Sequence, residues 1–233
     1  MINTDLTIES AHIGQENNKI VTCDDFLLDP SPLVEYAANA KFAASPMLRQ
    51  RKGYPGVRAA MPIEVVEPMA RAVEALVRAE FDVPEHLQCE RPQSSLCLMA
   101  VPESQLGPYQ TIPHFDTSNQ YFFAGLLYLC GEEHGGTGFY KHNSTGYESV
   151  LPERSDLYLD ACHTELNNKT INKRYFSESD EYYTKLGFVG AKFNRLAVYH
   201  GNLIHSGVVP SPNGLSLNPR TGRLTANVFL QFS

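Results

Sequence analysis

The chain has 233 residues, 42% of them hydrophobic and 19% charged, and carries a net charge of −7. That composition is ordinary for a soluble globular protein with one sizeable core. The acidic balance, with no basic cluster longer than RQRK at 49–52, excludes the concentrated positive face that a nucleic-acid partner requires.

No apolar run approaches bilayer length, and the opening MINTDLTIES lacks the basic and apolar regions of a signal peptide. No membrane association is expected. Five scattered cysteines (23, 89, 97, 130 and 162), with no CxxC pair, read as reduced thiols, so the expected compartment is the cytoplasm.

Residues 1–92 are expected to be mainly helical after a short N-terminal strand. In DPSPLVEYAANAKF, Ser31 is the expected N-cap and Pro32 the first helical residue. KGYPGVRAAMP reads as a turn-rich loop. Within it, Tyr54 and Arg58 are candidate substrate contacts, although a turn built on Pro55-Gly56 is the favoured reading. In VVEPMARAVEALVRAEF, apolar residues at 66, 69, 73, 76, 77 and 81 keep the 3.6 period of an amphipathic helix; its other face carries Glu74, Arg78 and Glu80.

From residue 94 the texture changes to short aromatic and branched runs: SSLCLMAV, YFFAGLLYL, GTGFYKH, SDLYLDA, NRLAVYHG and RLTANVFLQF. These read as strands, and their number favours an antiparallel sandwich or barrel over a doubly wound sheet. The expectation is one domain over 1–233, mainly β with α, with 1–92 as helical support and 93–233 as the β core. A polar stretch at about 145–190 reads as an insertion, serving as a lid or as a homodimer contact.

The chemistry-bearing residues cluster around HFD. On a strand, His114 and Asp116 project from one face while Phe115 points away. One further histidine from a facing strand would complete a 2-His-1-carboxylate set, which leaves positions open on Fe(II). His163-Thr164-Glu165 has the same pattern but sits in the polar stretch, whereas His114/Asp116 precedes the longest apolar run of the β half. A metal site needs rigid support, so the first pair is preferred.

For the third ligand, NRLAVYHGNLIHSGVVP offers His200 and His205. His205 lies where a strand opens into a loop and is preferred; His200 continues the strand and reads as packed or hydrogen-bonded. An anionic co-substrate would need a counter-charge. Arg223, heading an otherwise uncharged strand, and Arg220, in the loop before it, are equal candidates.

In this order and spacing, the segments HFD, GLLYLCGEEHGGTGFY, FNRLAVYHGNLIHSG and RLTANVFLQF, within about residues 96–230, resemble the 2-oxoglutarate/Fe(II)-dependent dioxygenases, in particular the prolyl-4-hydroxylase-like branch. The resemblance implies a distorted double-stranded β-helix (jelly roll, cupin-like) and hydroxylation of a C–H bond with release of succinate and CO2. It implies His114, Asp116 and His205 as iron ligands, Arg223 as partner of the far carboxylate of 2-oxoglutarate, and Tyr128 as a further donor to it. Fe(II), 2-oxoglutarate and O2 are the implied cofactors, with ascorbate as an allowed addition. The substrate would be a small molecule or an amino acid side chain. Asn194 stands where the family often has Asp, and the segments after GGTGFY and after His205 are longer than in compact members. A non-catalytic or zinc-binding jelly roll is the alternative.

Overall fold

The computed structural model describes residues 1–44, 53–168, 172–210 and 215–233. The RQRK cluster lies outside the described residues. The elements in chain order are β1 (Ile8–Ile13), β2 (Asn18–Cys23), α1 (Ser31–Asn39), β3 (Ala43–Ala44), β4 (Gly56–Ala59), α2 (Ile63–Glu80), β5 (Gln93–Met99), β6 (Phe122–Tyr128), β7 (Gly136–His142), α3 (Ser155–Asn168), β8 (Tyr183–Gly190), β9 (Arg195–His200), β10 (His205–Val208) and β11 (Arg223–Gln231).

Among the described residues the strands form two antiparallel sheets. The larger has the order β1-β2-β9-β6-β11-β5-β4-β3, and the smaller β10-β7-β8. From β6 onward the chain crosses repeatedly between the two sheets, and the pair β7/β10 nests within the pair β6/β11 along the chain. This is the double-stranded β-helix, or jelly roll.

Period-two alternation divides the larger sheet into two faces. Leu224, Ala226, Val228 and Leu230 of β11 share one core with Leu96, Leu98, Phe123, Leu127, Leu196 and Val198. Met69, Val73 and Val77 of α2 and Leu33 and Ala37 of α1 close over that face. The other face carries Arg223, Thr225 and Asn227, in register with Met99, Cys97 and Ser95 of β5. That face looks toward the smaller sheet.

Helix α2 follows the expected period: Met69, Val73, Leu76, Val77 and Phe81 are buried, and Arg78 pairs with Glu74 on the outer side. Its approach to the sheet is close because β6 has no side chain at Gly125. A Cβ there would stand 3.2 Å from Val73 Cγ1 and 3.3 Å from the Val228 carbonyl oxygen.

Several expectations are corrected. SDLYLDA is not a strand but the start of α3. The inward residues Tyr158 and Cys162 are one helical turn apart, while Leu157 and Leu159 are 58% and 50% exposed. A seven-residue window was too short to separate the two periods. The stretch 145–190 is not an irregular insertion: it contains α3 and β8, and β8 pairs with β7 along the smaller sheet.

The region 1–92 is less helical than expected, since β1 to β4 extend the larger sheet at both edges. KGYPGVRAAMP contains a strand, because Gly56–Ala59 takes up the free edge of β5. Helix α1 begins one residue early, at Ser31, whose backbone N–H donates to Asp29 Oδ1.

Asp24, just after β2, ties the N-terminal hairpin to β9. Its carboxylate accepts from Arg195 Nε and from Lys192 Nζ, both at 2.6 Å. The Arg195 hydrogen bond, opposed by burial and assisted by Lys192, holds Asp24 down to about 2.

Two outcomes are expected in urea denaturation. Gly125→Leu should lower stability by about 2 kcal/mol through overpacking, and adding Val73→Ala should recover part of it. Asp24→Asn should lose about 1 kcal/mol at neutral pH, a value reduced by solvent screening. Because the folded-state pKa lies below the unfolded one, that difference should be full above about pH 4 and vanish as pH falls toward 2.

Candidate functional site

His114 and His205 lie opposite one another in an antiparallel bridge. The His114 N–H donates to the His205 carbonyl at 2.8 Å, and the His205 N–H donates to the His114 carbonyl at 2.7 Å. Two residues that exchange both main-chain bonds carry their side chains to the same side. Their rings stand 4.5 Å apart between centroids.

Asp116 is positioned from the turn after β9. Its N–H donates to the Gly201 carbonyl at 2.7 Å, and the Gly201 N–H donates to the Phe122 carbonyl at 2.8 Å. Gly201 is required at that crossing, since a Cβ there would collide with the Phe122 ring and touch Asp116 Cβ at 3.4 Å.

One ligand atom from each of His114, Asp116 and His205 lies within 4.8 Å of the others. His114 Nε2 is 3.9 Å from Asp116 Oδ1, and His205 Nε2 is 3.9 Å from Asp116 Oδ2. These gaps exceed hydrogen-bond length, so the three groups surround a space rather than bond to one another. The His205 Nδ1–H donates to the Leu203 carbonyl at 2.8 Å, which fixes the tautomer and leaves Nε2 as a lone pair facing Asp116.

The His114 side chain is 55% open and lines a recess between the sheets. Burial there, helped by His205, pushes His114 down to about 3. Burial also raises Asp116, against the opposing charges of His205 and Arg58. A neutral imidazole presents a lone pair, so two imidazoles and one carboxylate fit a divalent metal ion.

The recess is a cavity of about 260 Å³. Its wall includes the triad, Tyr54, Arg58, Thr137, Arg223, Thr225 and Asn227, with Leu126 and Phe229 among the apolar members. Arg223 is 3% exposed. Its Nε–H donates to the His134 carbonyl at 3.2 Å and its Nη2–H to the Gly136 carbonyl at 2.7 Å. No carboxylate pairs with it among the described residues. Two further polar atoms on this wall, the Tyr54 hydroxyl and Asn227 Oδ1, are buried without a partner. Unsatisfied buried polar groups and a buried unpaired cation on one wall fit an anionic, hydrogen-bonding occupant.

The two arginines that the sequence left equal are separated by the fold. Arg220 lies at the surface in a bidentate pair with Glu35, at 2.9 and 2.6 Å. Of these two, Arg223 is the one that lines the cavity. Tyr128 is fully buried but does not line it; its hydroxyl is bonded to Thr137 Oγ1 at 2.7 Å, and Thr137 forms part of the wall. His200 is packed on Phe81 and Phe123, with its Nδ1–H donating to the Gln120 carbonyl.

The second H-x-E pair does not converge. On α3, His163 is exposed, while Glu165 accepts from buried His142 at 2.9 Å. Of the stretch 145–190, Tyr175 alone among the described residues reaches the cavity wall, its hydroxyl donating to the Val101 carbonyl at 2.6 Å. Asn194 adopts φ 66°, and its side chain bonds both the N–H and the carbonyl of Leu27.

Sequence reasoning passed over Thr137, Thr225 and Asn227. A polar residue alternating inside a buried apolar strand, as in RLTANVF, was the available signal. For Tyr54 and Arg58 the sequence favours a turn over a substrate contact. Strand β4 instead aligns Arg58 with Cys97, which in turn aligns with Thr225, on the inward face.

Among solved structures, the chain is similar to SnoN, a non-heme alpha ketoglutarate dependent epimerase from nogalamycin biosynthesis, at 13% identity over 93% of this chain and 78% of that one, with a TM-score of 0.48. It is similar to HygX from Streptomyces hygroscopicus, solved with nickel, 2-oxoglutarate and hygromycin B bound, at 12% identity over 93% and 84%, with a TM-score of 0.45. It is also similar to an N-substituted L-amino acid dioxygenase from Burkholderia ambifaria AMMD, at 12% identity over 100% and 95%, again at 0.45. All three likenesses are distant. No curated protein matches the sequence. Residues 4–230 match the family described as "Family of unknown function (DUF6445)", and the chain belongs to that family.

Proposed function

We propose that the chain is an Fe(II)- and 2-oxoglutarate-dependent dioxygenase of the prolyl-4-hydroxylase-like type, hydroxylating a C–H bond of a small molecule or of an amino acid side chain. One observation carries this reading. A set of two imidazoles and a carboxylate shares a cavity with a buried guanidinium that has no carboxylate partner among the described residues.

His114, Asp116 and His205 would hold the metal, and Arg223 would bind the far carboxylate of 2-oxoglutarate. A metal ion so held, with 2-oxoglutarate and O2, supplies the oxidising equivalents that turn C–H into C–OH as 2-oxoglutarate becomes succinate and CO2.

The protein's own contribution is placement. The reciprocal main-chain pair of His114 and His205 holds two imidazoles at a set separation. Leu203 keeps the His205 lone pair directed inward, and the Gly201 carbonyl holds Asp116 on the same side. At the other end, two carbonyls occupy two of the five guanidinium N–H groups of Arg223, leaving the others for a carboxylate. Thr137 and Thr225 add hydroxyls beside it, and Tyr128 acts through Thr137 and through its ring, whose centroid is 5.9 Å from the Arg223 guanidinium carbon. Leu126, Phe229 and Ile112 limit water.

Anaerobic addition of Fe(II) and 2-oxoglutarate should give the weak visible band of their chelate. Asp116→Ala and His205→Ala should abolish it while leaving the far-ultraviolet dichroism intact. Purification with tightly held zinc, and no band on exchange to iron, would instead support a zinc-binding jelly roll. Arg223→Gln should weaken 2-oxoglutarate binding about a hundredfold, as expected for losing one side of a buried charge pair. Arg220→Gln should change it less than about twofold, because that pair is exposed. The opposite ranking in a titration of the band would overturn the assignment of Arg223.

A further inference from the structure

Three charged side chains line the cavity among the described residues: Asp116, Arg223 and Arg58. The reading above uses the first two and leaves Arg58. Strand β4 places it: Arg58 stands opposite Cys97 of β5, and Cys97 stands opposite Thr225 of β11, so all three share the inward face of the larger sheet. Its guanidinium carbon lies 5.1 Å from the centroid of the Tyr54 ring, which supports the planar fork from one side. Among the described residues it makes no ion pair and no hydrogen bond to a carboxylate, and the carboxylate that feels its charge is Asp116 across the same cavity. Unlike Arg223, it is exposed, and it therefore stands where the cavity meets solvent.

Charge balance asks what it faces. A divalent ion on the triad, offset by Asp116 and joined by two arginines, leaves the cavity strongly positive. A dicarboxylate co-substrate neutralises most of that charge, and one positive charge remains. The unmatched charge is that of Arg58 at the mouth, where an anionic group on the second ligand would meet it as it enters.

We propose that Arg58 receives a carboxylate of the primary substrate, so that the substrate is a small organic acid whose apolar body lies along Ile112, Phe115 and Phe229. This rests on the dioxygenase reading. The planar fork suits bidentate capture of a carboxylate, and a neutral amide of equal size offers one acceptor and no charge. Arg58 thus acts as a specificity-determining residue, with the reacting C–H held inward toward the triad.

The test uses the full chain loaded with Fe(II) and 2-oxoglutarate. Short straight-chain carboxylic acids and the protein amino acids are presented, each beside its primary amide. Succinate formation and the shift of the visible chelate band on binding are recorded. At least one acid should stimulate turnover and shift the band, and its amide should need about tenfold or more higher concentration. Arg58→Gln should raise the KM of that acid about tenfold with kcat reduced less than about threefold, and Arg58→Lys should recover part of the loss.

Equal response to acid and amide, an unchanged KM in Arg58→Gln, or no responding acid on a protein that shows the chelate band would overturn the proposal and leave the dioxygenase reading standing. Absence of the chelate band from the wild-type protein would remove that reading and this assignment with it.

Discussion

Strand β11 lies between β5 and β6 and is buried on both faces, so each of its residues must suit one of two different interiors. The outward series Leu224, Ala226, Val228 and Leu230 packs under the helices; the inward series Arg223, Thr225 and Asn227 lines a polar cavity. Period-two alternation makes the arrangement all-or-none. A slip of one residue would place a guanidinium under α2 and a leucine row in the cavity, at a cost of several kcal/mol for the misplaced charge alone. The apolar row therefore holds the register that aims Arg223. Stability on one face fixes chemistry on the other.

The segment that carries His114 is held beside the smaller sheet by far fewer bonds. His114 is not within a long strand; a two-bond bridge to His205 and the Gly201 carbonyl do the work that a full ladder does elsewhere. A short segment with open neighbours leaves room for ligands on the metal-facing side, whereas a full ladder would bring more side chains into the recess. The buried polar atoms left without partners, Tyr54 Oη and Asn227 Oδ1, lie on the wall of this same recess. In a well-packed protein such atoms are rare, and their concentration at one place marks where the fold gives up self-satisfaction for recognition.

The nearby decoys show why position matters more than residue type. His142 is fully buried and bonded to Glu165, with Thr145 on its other nitrogen. Both ring nitrogens of His142 are met within the protein, so the cluster pins α3 to the β7 turn. Arg220 is likewise satisfied by Glu35. The triad and Arg223 differ in being held by main-chain groups while their functional faces stay open.

Much of this was legible in the residues. The amphipathic period of α2 and five of the six strand segments follow from local rules that span a few residues, and local rules can be read along a chain; HFD does converge on one site, but through a single bridge and a bend rather than a strand, with Phe115 also on the cavity wall. What failed locally was short or borderline: SDLYLDA satisfied two periods at once, and β4 and β8 lack strong alternation. Both strands owe their state to a neighbouring edge that supplies the hydrogen bonds. Pairings distant in sequence were beyond reach for the same reason. Residue order alone determined the alternation of β11 and the candidate ligand types. The tertiary structure alone decided that Arg223 turns inward while Arg220 meets Glu35, that His205 and His114 face each other across two main-chain bonds, and that Arg58 stands on a cavity wall. Those outcomes depend on which strand edges pair and which face each sheet buries, and that choice is made by the whole core at once.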